Sequence, residues 1–203
     1  KYQAAFLASL ITDKELRGFG GGVFLAREAE KYFDVLYTMG FNSQAAPVFK
    51  LCNWSDEKFL NRWVYKCGQK AIEENVGLKI IEIFDEGWDG VWKKLQSRYP
   101  LTIDRTSEYL NWRFVNNPYI KYTIYGNDNG YIVLRKEEGE EYKAVRIVDF
   151  VAKEGAEELF LRAAINFAEK EKVGFADFFC SSAIYGEALK KVGFEVYDPE
   201  INP

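Results

Sequence analysis

Apolar and polar positions alternate along the chain in two rounds of strands and helices, separated by one polar break. The opening run Gln3-Ala4-Ala5-Phe6-Leu7-Ala8-Ser9-Leu10-Ile11 is apolar almost throughout, which predicts a buried strand over Tyr2–Thr12. Charged Asp13-Lys14-Glu15 end that run, a glycine-rich turn follows, and Val23–Tyr32 carries helical spacing. Phe33–Thr38 reads as a second strand, Gly40-Phe41-Asn42 as a turn and Ser43–Cys52 as a short helix. Leu60-Asn61-Arg62-Trp63-Val64-Tyr65-Lys66 alternates as a further antiparallel strand would. The stretch Gly68–Val76 is polar and carries Gly68 and Asn75, so a domain boundary is expected there, with units at residues 1–67 and 68–203.

The second round is longer. Leu78–Phe84 alternates like a strand, while Trp88–Tyr99 and Thr106–Val115 space their aromatic and aliphatic residues as helices do. Ile120–Tyr125, Tyr131–Arg135 and Tyr142–Val151 read as three strands, with Asn127-Asp128-Asn129-Gly130 and Glu137-Glu138-Gly139-Glu140 as hairpin turns. A helix over Ala156–Glu171, a strand over Gly174–Cys180, a helix over Ile184–Val192 and a strand at Glu195–Tyr197 complete it. The fold class is therefore α/β (α+β): mixed, mostly antiparallel sheets flanked by helices.

Composition narrows the chemistry. With 203 residues, 48% of them hydrophobic and 17% aromatic, the chain can bury one sizeable core or two small ones. Its net charge is −4 and no long Lys/Arg run occurs, so no nucleic-acid surface is expected. No apolar run approaches the roughly 20 residues that span a bilayer, and the N-terminus lacks a signal-peptide pattern. A cytoplasmic protein with no membrane partner is the simplest reading; because Lys1 is not an initiator methionine, an upstream targeting segment stays open. Cys52, Cys67 and Cys180 form no C-x-x-C pair and read as reduced, buried thiols. The sequence contains no histidine, which removes Ser-His-Asp and Cys-His nucleophile systems, His-ligated zinc and any imidazole base. No metal is expected, and there is no P-loop signature.

One stretch carries a binding signature: Arg17-Gly18-Phe19-Gly20-Gly21-Gly22, lying between the first strand and the first helix. A glycine turn at this place leaves a row of backbone N–H groups at a helix N-terminus, where the dipole also favours an anion. Side chains there would hold a phosphate away from the backbone, and Arg17 would cap the anion with a delocalised charge. Such a site suits a pyrophosphate.

Arg17, Gly20 and Gly22 spell R-x-x-G-x-G, which resembles the acetyl-CoA pyrophosphate loop of the GCN5-related N-acetyltransferases (GNATs). The order of elements around it resembles the second half of a GNAT domain, and Asn42 matches the asparagine that opens that family's last helix. The resemblance implies that Leu10, Ile11 and Thr12 lie beside the pantetheine arm and that Arg17, Gly18, Phe19, Gly20, Gly21, Gly22 and Asn42 complete the acetyl-CoA site. The family's catalytic tyrosine corresponds to Phe49, which cannot donate a proton to the departing thiolate.

The second round follows the complete GNAT order, and Lys190-Lys191-Val192-Gly193-Phe194 resembles the family's closing K-x-x-G-F. Arg105–Phe114 with Pro118 also resembles a segment of GNAT-like proteins from surface-polysaccharide gene clusters; read for packing alone, Trp112 and Phe114 are core aromatics. The resemblance implies two GNAT-like units, the first represented only by its C-terminal half, either because its first part is lost or because its sheet is completed otherwise. The second unit has Ala152-Lys153-Glu154-Gly155-Ala156 where the phosphate loop would stand, and Glu154 would repel a pyrophosphate. At the tyrosine position it has Leu189, with Tyr185 one turn earlier.

The activity implied is transfer of an acetyl group from acetyl-CoA to a primary amine of a small molecule, an amino sugar among the options. Candidates for proton transfer are Asp85 at a strand end, Asp149 inside an apolar strand, and Tyr185. Each carboxylate has a competing reading as a salt bridge or helix cap. The alternatives are a FemABX-like aminoacyl transferase and a non-catalytic GNAT-like binding or dimerisation module; a homodimer stays open.

Overall fold

The computed structural model describes residues 2–8, 10, 11, 13–39, 41, 43–55, 60–68 and 77–197, and the chain divides into two units after Lys58. In the first unit, β1 (Ala4–Phe6) pairs in parallel with β2 (Val35–Tyr37), with Ala4 opposite Val35 and Phe6 opposite Tyr37. The crossover between them is α1 (Gly21–Ala29), and α2 (Ala46–Leu51) begins with Pro47 in its first turn, where a missing N–H costs nothing. Arg27 Nη2 donates to Leu51 O at 3.0 Å, and Trp54 Nε1 donates to Glu30 at 2.7 Å, tying the end of α1 to the end of α2. The strand expected over Tyr2–Thr12 is thus three residues long, because the ladder ends where Leu7 N donates to Tyr37 O.

The second unit is built on a seven-stranded sheet, in the order β4-β5-β6-β7-β8-β3-β9. Its strands are β3 (Asn61–Lys66), β4 (Lys79–Ile80), β5 (Thr123–Asn127), β6 (Gly130–Glu138), β7 (Lys143–Ala152), β8 (Phe175–Cys180) and β9 (Glu195–Val196). All neighbours are antiparallel except β7 and β8. Strand β3 corrects the expected boundary after Cys67. Its place in the sequence puts it at the end of the first unit, yet it lies between β8 and β9, with Trp63 and Tyr65 filling the second unit's core. Alternation shows that one face of a strand is buried; it does not say in which sheet.

Helices cover the two faces. On one lies α5 (Glu157–Lys170), whose Phe160, Leu161, Ala164 and Ala168 pack with Ile132, Leu134, Val145 and Ile147, joined by Leu189 and Val192 of α6 (Gly186–Val192). On the other lies α3 (Glu86–Leu95), whose Trp88, Trp92 and Leu95 recur at helical spacing and meet Tyr131, Val133 and Val151. The short α4 (Ser107–Leu110) continues into a π turn over Asn111–Val115 that buries Phe114 but leaves Trp112 68% exposed, so Trp112 is no core aromatic. The first half of β6, Gly130–Leu134, is apolar without alternation because both its faces are covered, while Arg135–Glu138 run on as a charged, partly exposed end.

A bulge shapes β7. Val133 pairs with Asp149 and Leu134 with Ile147, so Val148 is the extra residue. Ile147 therefore faces α5 while Asp149, two positions on, faces α3 beside Tyr131. At the head of the same hairpin Gly130 has φ +145°, and a Cβ there would stand 2.1 Å from Val151 O. Backbone cannot move aside as a side-chain tip can. Gly130→Ala should therefore destabilise the chain by about 3 kcal/mol, the upper end of the overpacking range, read from urea unfolding.

Candidate functional site

The glycine turn forms from both of its ends. Asp13 Oδ1 accepts from Glu15 N at 3.0 Å and starts a single 3-10 turn over Lys14–Leu16. Gly18 and Gly20 then take φ +89° and +81°, a region closed to most side chains. Gly20 caps α1 in this left-handed conformation, its carbonyl accepting from Phe24 N at 3.0 Å, and no side chain caps the helix. The amides of Gly21, Gly22 and Val23 occupy the first turn, where an α-helix offers no intrahelical acceptor. Gly22 has a different reason to be glycine: a Cβ would stand 3.3 Å from Leu10 Cδ2 and 3.5 Å from Val48 Cγ2, so the helix start can press against both. Leu10 and Ile11 lie beyond the last paired residue of β1, and Ile11 is 78% exposed.

The sequence-derived residues are thus brought together in part. Gly22 sets the start of α1 against Leu10, and Arg17, Gly18, Phe19 and Gly20 form the turn that leads into Gly21 and Gly22, while Ile11 follows Leu10 beyond the paired part of β1; Thr12 and Asn42 lie outside the described residues. Phe49 is buried, with its ring centroid 5.2 Å from Phe41 and 4.9 Å from Trp54, and packs as a core aromatic.

Both carboxylate candidates have structural partners. Asp85 is the N-cap of α3, accepting from Gly87 N at 2.9 Å. Asp149 is held by Arg105, with Nη2 to Oδ1 at 2.8 Å and Nε to Oδ2 at 3.0 Å, and by the Tyr131 hydroxyl at 2.5 Å. Burial works against the Arg105 charge, but the Asp149 carboxylate more than offsets it and holds the guanidinium above its ordinary pKa. Tyr131 is pushed well above the usual phenol range, first by burial and then by the charge of Asp149.

The third candidate, Tyr185, lies beside the far end of β7 in the second unit. Strands β7 and β8 pair in parallel only over Ala144–Ile147 against Phe175–Phe178, and β7 runs on to Ala152. Side chains from elsewhere in the same unit hydrogen-bond that free stretch. Tyr185 donates its hydroxyl to Phe150 O at 2.9 Å, Tyr99 accepts from Ala152 N at 3.1 Å, and the two phenol oxygens are 2.7 Å apart. Arg98 Nη1 donates to Ala152 O at 2.7 Å, and its Nη2 pairs with Glu157, which occupies the first turn of α5. Tyr185 is 3% exposed, and burial, followed by the neighbouring Tyr99, raises its pKa far above the ordinary value. Sequence reading singled out Tyr185 by its offset from Leu189; Arg98 and Tyr99, which hydrogen-bond to the same end of β7, carry in the sequence only the signal of two polar residues ending a helical stretch.

Among the described residues no group of three or more Cys, Asp or Glu is placed to hold a metal ion, and no helix is long and apolar enough to cross a membrane.

This arrangement is the GNAT fold. The structure matches a GCN5-related N-acetyltransferase from Anabaena variabilis over 91% of this chain, with a TM-score of 0.62 at 13% identity. It matches one from Kribbella flavida over 92%, with a TM-score of 0.61 at 13% identity. A tandem GNAT protein from the clavulanic acid biosynthesis pathway aligns over 97% of this chain and 73% of its own length, with a TM-score of 0.51 at 12% identity. The chain spans about half the length of the first two, 50% and 48%. No family model and no curated protein matches the sequence.

Proposed function

We propose that the chain is an N-acetyltransferase that binds acetyl-CoA at the first unit and passes the acetyl group to a primary amine of a small molecule. The observation that carries this reading is the turn at Gly18–Gly22, whose positive-φ glycines open α1 onto uncapped amides beside the unpaired end of β1. Those amides and the Arg17 guanidinium suit a pyrophosphate. The backbone near Leu10 and Ile11, free of strand pairing, suits the pantetheine amides and supplies an N–H toward the thioester oxygen. In the reaction the amine nitrogen attacks the thioester carbon, the C–S bond breaks, and the amine proton leaves through water. Phe49 has no proton to give, so the CoA thiolate takes its proton from solvent or from the acceptor amine.

The second unit, in this reading, binds no CoA. Its equivalent slot is taken by Tyr185, Tyr99 and Arg98, and Glu157 at the start of α5 places a carboxylate where a phosphate would go. Calorimetric titration of the 203-residue chain with acetyl-CoA should therefore give one equivalent. Two equivalents would mean that the tyrosine pair yields to the ligand.

A further inference from the structure

The ladder between β1 and β2 advances in steps of two residues, as parallel pairing requires. Val35 N donates to Gln3 O at 3.2 Å near its start and Leu7 N donates to Tyr37 O at 2.9 Å at its end, with Ala4, Ala5 and Phe6 opposite Val35, Leu36 and Tyr37 between them. The same step puts the next rung between Met39 N and Leu7 O. That rung is not formed. Thr38 Oγ1 donates to Leu7 O in its place, at 2.9 Å, and among the described residues no backbone N–H donates to that carbonyl.

The residues themselves do not forbid a longer ladder. Leu7, Ala8, Leu10 and Ile11 include no proline, glycine or charge, and Thr38 and Met39 can pair as readily as the residues before them. The stop therefore lies at the Thr38 hydroxyl. What it leaves open leads to the glycine turn: the backbone of Ala8, Leu10 and Ile11 makes no hydrogen bond to another described residue, and Leu10 lies against Gly22 at the start of α1. The second unit gives the contrasting case. There the free stretch of β7 is hydrogen-bonded by side chains at Phe150 O, Ala152 N and Ala152 O. In the first unit a side chain takes only the first carbonyl past the ladder, Leu7 O, among the described residues.

We propose that Thr38 is a positioning residue for the pantetheine arm of acetyl-CoA: its hydroxyl takes the acceptor of the next rung, stops β1 from zipping onto β2, and so keeps the backbone of Ala8, Leu10 and Ile11 free for the amides of the arm. This rests on the reading of the glycine turn as an acetyl-CoA site and adds the residue that holds the neighbouring channel open. A hydroxyl suits the task because it satisfies Leu7 O without carrying the pairing forward, so that the ladder has little to gain by advancing.

The test is Thr38→Val, which keeps the shape and removes the donor, in the 203-residue chain. With Leu7 O left without its donor, Met39 N takes the place. Hydrogen exchange of the Met39 amide, followed by NMR without ligand, should then slow about tenfold, whereas a substitution that merely loosened the unit would speed it. Acetyl-CoA, titrated by calorimetry, should bind about tenfold more weakly, the loss of one hydrogen bond to the arm. ADP, which has the pyrophosphate without the arm, should bind the variant and the unaltered chain within about twofold of each other. Thr38→Ser keeps the hydroxyl and should keep both the acetyl-CoA affinity and the Met39 exchange within about threefold of the unaltered chain. The proposal is overturned if the Met39 amide exchanges no more slowly in Thr38→Val, if that variant binds acetyl-CoA within about threefold of the unaltered chain, if ADP weakens as much as acetyl-CoA, or if serine does not substitute for threonine. Failure of the acetyl-CoA reading looks different: the unaltered chain then binds neither ligand, and the role of Thr38 falls with it.

Discussion

Gly20→Val should abolish acetyl-CoA binding while leaving the second unit folded. Gly20 has φ +81°, and a Cβ at that position would meet nothing within 4 Å, so the harm comes from the backbone and not from a clash. A β-branched residue in the left-handed region is strained by roughly 1–3 kcal/mol, which the turn can relieve by leaving that region. In doing so it swings the amides of Gly21, Gly22 and Val23 off a common centre. A hydrogen bond to a charged group is worth about 1.5–3 kcal/mol, so misplacing two of them costs on the order of 100-fold or more in affinity. Calorimetry on the variant reads the effect, with the thermal transition as control for folding. Affinity within threefold of the unaltered chain would show that the glycine turn is only a connector.

The largest loss of stability from a single truncation is expected at Asp149. Its carboxylate is a counter-charge hydrogen-bonded to Arg105 at two nitrogens, and the Arg105 and Asp149 side chains are largely withdrawn from water, at 17% and 14% exposure. Removing one partner of such a pair strands the other, which costs about 3–5 kcal/mol, and Asp149→Ala also takes the acceptor from the Tyr131 hydroxyl. Urea unfolding should show that loss. The double variant Asp149→Leu/Arg105→Met should recover much of it, because replacing both charges by apolar groups removes the stranded cation. A cost below about 1 kcal/mol for Asp149→Ala would mean that Arg105 reaches water in the folded state.

The sequence and the structure agree where local chemistry decides. Successive strands and helices of the second unit were legible because α3 and α5 are amphipathic at a helical period and because the hairpin glycines punctuate β5, β6 and β7. The glycine turn was legible as a helix start because Gly20 and Gly22 are required there for two separate reasons, a positive φ and a close approach to Leu10 and Val48. Long-range choices were not legible. Alternation along Leu60–Lys66 announced a strand but not its insertion between β8 and β9, which depends on partners more than a hundred residues away. The bulge at Val148 turns Asp149 toward Arg105, and no local signal marks it, so the sequence favours an ion pair over a base without naming its partner. Arg98 and Tyr99 look like the polar end of a helix, and only the three-dimensional fold brings them to the free carbonyl of Ala152.

Amide NMR of the 203-residue chain titrated with acetyl-CoA shows whether the glycine turn holds the ligand. Saturable shifts are expected at Gly18 and at Gly20 to Val23, with those of Lys153 to Glu157 unmoved. Shifts confined to Lys153–Glu157, or saturation without any change at Gly20–Val23, would contradict binding at the turn.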